Sequence, residues 1–230
     1  MPWILAIETA TPLCSVALGR GEAAVALREV DDGRLAHAEK LNVFIAEVLD
    51  EAGVAMHRLD AIAVGTGPGS YTGLRIGLSA AKGLCYALGK PIIGISTLAT
   101  LVQAAQQRHG PLAGTLWPMV DARRMEVFTR PFGPHGDPLA AAAPLVLDDA
   151  WAGRSAGHVV FGDGADKAVD LWRVHPAVAH LPGIRPTAAA MLGIAAQRFS
   201  AGDLDDLAYL VPTYGKEART GVAKGGLAPY

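Results

Sequence analysis

The side chains able to do chemistry concentrate in three turns. The first is G-T-G-P-G-S-Y-T-G, Gly65 to Gly73, placed before a helical pattern. Free N–H groups at a helix N-terminus favour anions, so a phosphate cradle is its obvious chemistry. Yet no G-x-x-x-x-G-K-[ST] occurs, and Gly67, Gly69 and Gly73 miss G-x-G-x-x-G by one residue. Gly69, Gly73, Gly77 and Ala81 instead recur every four residues. Each glycine inside a helix costs up to about 1 kcal/mol relative to alanine. A smooth stripe that lets another backbone approach is therefore the favoured reading. Leu74, Leu78 and Cys85 lie on the opposite side, and Arg75 and Lys82 can reach solvent or a partner.

The second turn, Glu8-Thr9-Ala10-Thr11, joins the first two strands. An acid with hydroxyls can bind a nucleotide phosphate or a metal, although a plain polar turn is the simpler reading. The third, Asp121-Ala-Arg-Arg, sets an acid and two arginines on a hairpin, as either a charged turn or an anion or partner contact. The seven histidines form no H-x-x-x-H or H-E-x-x-H. Gly94-Ile95-Ser96-Thr97-Leu98 lacks the second glycine of G-x-S-x-G, and Ser70 has no identifiable partner histidine, so serine hydrolysis is disfavoured.

These turns hang on an α/β framework. Strands are expected at Trp3–Ile7, Cys14–Leu18 and Ala23–Val30, an antiparallel meander ended by Asp31-Asp32-Gly33. A helix over 35–51 carries Leu41, Ile45, Val48 and Leu49 on one stripe, with Phe44 beside it. A strand at Ala61–Val64, a helix from Tyr71 to Leu88 capped by Ser70 and stopped by Gly89, and a strand at Pro91–Ile95 complete βββαβαβ. A helix over 98–108 ends at His109-Gly110-Pro111, which divides the chain into lobes 1–108 and 109–230. In the second half, strands are expected at 116–120, 125–130 and 158–161, a proline-rich loop at 131–144, and helices at 165–173 and 187–201, the last capped by Thr187.

At 230 residues a sizeable core is assured. The net charge of −2 and the lack of a long basic run argue against a protein that grips nucleic acid unaided. The tail from Lys216 to Lys224 reads as a solvated end. No apolar run reaches 18 residues, and the N-terminus reads as a strand and not a signal peptide. Two cysteines without a CxxC pair suit a reducing cytoplasm.

Five segments resemble the TsaB family, also called YeaZ: Ile4–Leu18, H-A-E-K-L (His37 to Leu41), Gly65–Gly77, G-I-S-T-L (Gly94 to Leu98) and D-A-R-R-M-E-V-F (Asp121 to Phe128). The resemblance is strong over residues 3–128 and faint beyond. The family usually follows its closing tyrosine with Leu-Arg, whereas Gly215-Lys216 follows Tyr214 here. The resemblance implies a two-lobed actin-like ATPase fold, each lobe ribonuclease-H-like and the second degenerate. It implies a role in forming N6-threonylcarbamoyladenosine at position 37 of tRNAs that read ANN codons. The catalytic subunit there is the paralogue TsaD, with the ATPase TsaE joining the pair. TsaD-like proteins place two metal-binding histidines where this chain reads Ile95-Ser96-Thr97-Leu98-Ala99-Thr100, which cannot replace paired imidazoles.

A partner subunit without a catalytic or metal centre is therefore expected, touching tRNA only through the complex. In the family, the two first-lobe helices pack against their counterparts in TsaD. The expected interface is Leu41, Phe44, Ile45, Val48, Gly73, Leu74, Gly77, Leu78 and Ala81, a patch that also allows a homodimer. No cofactor is required, and weak ATP or ADP binding would fall on Glu8, Thr9 and Thr11. The rivals are an ATP-dependent enzyme of the actin-like superfamily and a metal-dependent glycoprotease.

Overall fold

The computed structural model describes residues 1–31 and 37–214. The Asp32-Gly33 turn, the start of the first helix at Leu35, the Lys216–Lys224 tail and the Gly215-Lys216 departure lie outside the described residues.

The chain forms two five-stranded mixed sheets. In the first, β1 (Trp3–Glu8), β2 (Cys14–Arg20) and β3 (Ala23–Val30) form the antiparallel meander. Helix α1 (His37–Ala52) and a 3₁₀ turn at Met56–Arg58 lead to β4 (Ala61–Gly67), parallel to β1. Helix α2 (Tyr71–Leu88) then leads to β5 (Ile92–Ser96), parallel to β4. The strand order is β3-β2-β1-β4-β5.

Strand alternation separates two cores. Leu5, Ile7, Val16, Leu18, Ile62 and Val64 meet α1 and α2 on one face. Ile4, Ala6, Ala17, Ala61, Ala63, Ile93 and Ile95 point the other way. They meet a helix from the far end of the chain.

Helix α3 (Thr97–His109) starts the second half. The second sheet has β6 (Thr115–Asp121), β7 (Glu126–Thr129) and β8 (Ala143–Val146) antiparallel. After α4 (Asp149–Ala152), β9 (His158–Phe161) joins β6 in parallel. Helices α5 (Asp163–Asp166) and α6 (Val169–Val174) precede β10 (Ala179–Leu181), giving the order β10-β9-β6-β7-β8. Helix α7 (Ala188–Ser200), capped by the Thr187 hydroxyl, returns to the first sheet and buries Met191, Leu192 and Ala195 there.

Packing redraws the lobes. Leu98, Leu101, Val102 and Ala105 of α3 pack with Leu116, Val120, Phe132 and Phe161 of the second half. Counted with the first lobe from the sequence, α3 packs on the second sheet, so the change of allegiance falls between Ser96 and Thr97 and not at residue 108. Strand β8 lies inside the expected loop, and Pro144 is accommodated because an edge strand has one unpaired side. The expected helix at 165–173 is broken at Lys167-Ala168 into α5 and α6.

Candidate functional site

The site is built on the turn after β1. Glu8 is fully buried. Its Oε1 accepts the N–H groups of Thr9 and Ala10, each at 2.8 Å, and Thr97 Oγ1 lies 3.3 Å from Oε2. Gly65 on β4 walls it in, since a Cβ there would come within 2.5 Å of both carboxylate oxygens. Burial pushes the Glu8 pKa up to about 7 against the opposing pull of these hydrogen bonds.

The same turn is fastened to α2. Thr9 Oγ1 donates to Gly73 O at 2.8 Å, and Ser70 N donates to Ala10 O at 2.6 Å. The glycines expected to face a partner face this turn instead. A Cβ on Gly69 would stand 2.3 Å from Ala10 O, one on Gly73 2.1 Å from Thr9 O, and one on Gly77 2.3 Å from Thr9 Oγ1. The first turn of α2 is closed by Gly73 N donating to Ser70 Oγ, and Gly89 ends the helix with φ 63°. His37 at the start of α1 bonds through Nε2 to Thr11 O, and burial lowers its pKa.

As a phosphate turn, residues 8–11 are already committed. The N–H groups of Thr9 and Ala10 point at Glu8, and the Thr9 hydroxyl points at Gly73. Thr11 Oγ1 is buried without a hydrogen-bond partner. It lines a cleft of about 450 Å³ between this turn, the Gly69–Thr72 start of α2, and Val120–Arg123, Phe128 and Asp163 of the second sheet. Asp163 accepts the Asp121 N–H at 3.1 Å and has its pKa raised chiefly by burial. Lys167 pairs with Asp121. Arg123 and Arg124 both hold left-handed backbone conformations, φ 69° and 53°.

The expected interface needs correction. Leu41, Ile45, Val48, Gly73, Leu74, Gly77, Leu78 and Ala81 are buried inside this chain. The reason is geometric: each helix turns its most regular apolar or small-residue stripe to its own sheet. Phe44 is the exception, half-buried at the edge of that core. The outward surface of the pair is a different set. Phe44, Ile76, Ala80 and Leu84 are half-buried, Val43 is exposed, and Tyr86 is 84% exposed. Gly83 has open space where its Cβ would be. This second row has the i, i+4 spacing Ile76-Ala80-Leu84, a signal present in the sequence.

Among the described residues, no group of three or more His, Cys, Asp or Glu side chains is arranged to hold a metal. Thr97 and Thr100 are engaged internally, with Glu8 and with Ser96 O. No helix among the described residues is long and apolar enough to cross a membrane.

Comparison with known proteins was made with this geometry in hand. Residues 33–146 match the family described as TsaD: tRNA N6-adenosine threonylcarbamoyltransferase. The tRNA threonylcarbamoyladenosine biosynthesis protein TsaB of Escherichia coli is 32% identical over 219 residues, covering 92% of this chain and 93% of that protein. The solved structure of YeaZ from Pseudomonas aeruginosa superimposes with a TM-score of 0.74 at 29% identity, covering 93% of this chain and all of that one. The activator of the 2-hydroxyisocaproyl-CoA dehydratase from Clostridium difficile shares the actin-like ATPase fold alone, with a TM-score of 0.52 at 10% identity over 89% of this chain and 98% of that one.

Proposed function

The chain belongs to the TsaB family, whose members take part in tRNA threonylcarbamoyladenosine biosynthesis, and from that premise we propose that it is the non-catalytic partner that binds and activates the threonylcarbamoyltransferase TsaD. The observation that carries this reading is the outward row on α1 and α2: Phe44, Ile76, Ala80 and Leu84, bordered by Val43 and Tyr86. Apolar side chains left at the surface in one contiguous patch mark an interaction site. The TsaD family match begins at residue 33 and spans both helices, so the transferase carries related helices with which to form a pseudo-symmetric pair. Gly83, exposed in mid-helix, would let that pair approach closely.

Catalysis falls to the transferase in this reading. Thr97 and Thr100, at the segment where TsaD-like proteins carry histidines, are spent on bonds within this chain. Nucleotide is not required of this chain, because the N–H groups of Thr9 and Ala10 already serve Glu8. TsaE joins the assembled pair, and tRNA is reached through it, in the cytoplasm. Without the transferase, a second copy would seat on the same row.

The test is reconstitution with TsaD, TsaE, the threonylcarbamoyl-adenylate synthase, tRNA, threonine, bicarbonate and ATP, with and without this chain. Modified adenosine is read by mass spectrometry. Modification only in its presence, with no ATP or peptide turnover by the chain alone, is expected. Undiminished modification without it overturns the proposal.

A further inference from the structure

Glu8 is a buried ionisable group that the proposed function does not use. It stands where four elements meet: the end of β1, Gly65 on β4, Thr97 in the first turn of α3, and the turn on which α2 rests. Its hydrogen bonds suit a neutral acid. Oε1, as the carbonyl oxygen, accepts from Thr9 and Ala10, and a proton on Oε2 can be donated to Thr97 Oγ1. In the ionised form the Thr97 hydroxyl reverses and donates, but a full charge is then held without a basic partner.

The ionisable groups around it have other engagements or lie elsewhere. Strands β4 and β5 carry none. On β2 they are Cys14 and Arg20, the latter against the Trp3 ring. On α3 they are Arg108 and His109, in its last turn. On α2 they are Tyr71, Arg75, Lys82, Cys85 and Tyr86, of which Arg75 bonds Tyr71 and Lys82 bonds Ala208 O. His37 bonds Thr11 O, and Asp121 and Asp163 lie across the cleft. Burial is the largest influence on Glu8, and it acts against the charge.

We propose that Glu8 is a positioning residue for the docking face: as the neutral acid it locks the β1 turn under α2, and its ionisation loosens that seat and weakens transferase binding. The link to α2 is short. Glu8 fixes the N–H groups of Thr9 and Ala10, and those two residues hold Gly73 and Ser70 through Thr9 Oγ1 and Ala10 O. The inference about docking rests on the function proposed above, whereas the seating of α2 can be read in this chain alone.

The experiment compares the wild-type chain with Glu8→Gln at pH 6 and pH 8. Glutamine keeps an oxygen for Thr9 and Ala10 and offers an N–H to Thr97 Oγ1, so it imitates the neutral acid at every pH. Hydrogen exchange of the α2 amides, corrected for intrinsic rate, should show lower protection at pH 8 in the wild type and no change in the variant. Affinity for the transferase should fall with pH in the wild type on the order of three- to tenfold, the coupling given by up to one unit of difference in Glu8 pKa between free and docked protein. It should stay level in the variant. In the wild type alone, the Glu8 carboxyl ¹³C signal and the α2 amide signals should titrate with one midpoint, a reading that stands even where the variant does not fold. Parallel protection profiles in the two proteins, or separate midpoints, overturn the assignment. Protection that shifts as expected in a chain that binds no transferase at either pH upholds the seating role and overturns the proposed function instead.

Discussion

Helix α2 carries two glycines ten positions apart that should respond to alanine with opposite sign. At Gly83 a Cβ meets nothing within 4 Å, so Gly83→Ala gains helix propensity alone, about 1 kcal/mol. At Gly73 the same methyl would stand 2.1 Å from Thr9 O. The two atoms must separate by about 1 Å to reach ordinary contact. Moving α2 off the β1 turn by that amount breaks the Thr9 Oγ1–Gly73 O hydrogen bond, worth about 1 kcal/mol, and adds an overpacking cost of about 1–3 kcal/mol. Against the propensity gain, Gly73→Ala should lose about 1–3 kcal/mol. For a chain of this size each kcal/mol moves Tm by roughly 2–4 °C. Thermal unfolding followed by circular dichroism should therefore show Gly83→Ala about 2–4 °C above the wild type and Gly73→Ala about 2–12 °C below it. A rise in both would mean that the β1 turn does not sit against Gly73. A fall in both would mean that the helix is not open at Gly83.

The pH dependence of stability has a definite sign at Glu8. Its folded pKa of about 7 lies above its model value of 4.5, so the stability it contributes is full below about pH 4.5 and is lost as pH rises to about 7. Denaturant titrations should show wild type and Glu8→Gln alike near pH 4.5 and the variant ahead at pH 8, by up to about 3 kcal/mol; a constant difference at all pH values would count against this. Tyr86, exposed beside Gly83, should matter for partners and not for folding: Tyr86→Glu should leave Tm within about 1 °C and weaken binding to the transferase in a pull-down or by calorimetry. Asp166 accepts from His180, Gly183 N and Arg185, so Asp166→Ala strands those donors and should lower stability by about 2–4 kcal/mol in the same titrations. Cys14 and Cys85, with thiols pushed up to about 11 and about 12 by burial, should react with a disulfide reagent at pH 8 only after unfolding.

What could be read from the sequence was local. The α2 limits, Ser70 at its start and Gly89 at its end, rest on a side chain bonding an amide three residues away and on one left-handed glycine. The same holds for Thr187 and α7. What could not be read needed partners far along the chain. Nothing near Thr97 says that α3 packs on the second sheet, and nothing near Ala188 says that α7 returns to the first. Glu8 was visible as an acid in a turn. Its enclosure depends on Gly65 and on Thr97, 89 residues away. The stripe of Gly69, Gly73 and Gly77 correctly signalled that a backbone comes close, but the backbone is the chain's own, 64 residues distant in sequence.

That outcome changes what a helical glycine implies about an interface. A glycine in a helix is unfavourable on its own, so its presence asks what approaches it. For Gly69, Gly73 and Gly77 the answer lies within the chain, and those positions are accounted for without any partner. Gly83 has no such neighbour, and it sits at the border of the one apolar row that α1 and α2 leave uncovered. The docking face is therefore better located by the glycine that the fold does not explain than by the regular stripe that first draws attention. Gly83→Ala tests this directly: it should stabilise the isolated chain and weaken its complex with the transferase, two effects that a glycine kept for folding alone would not combine.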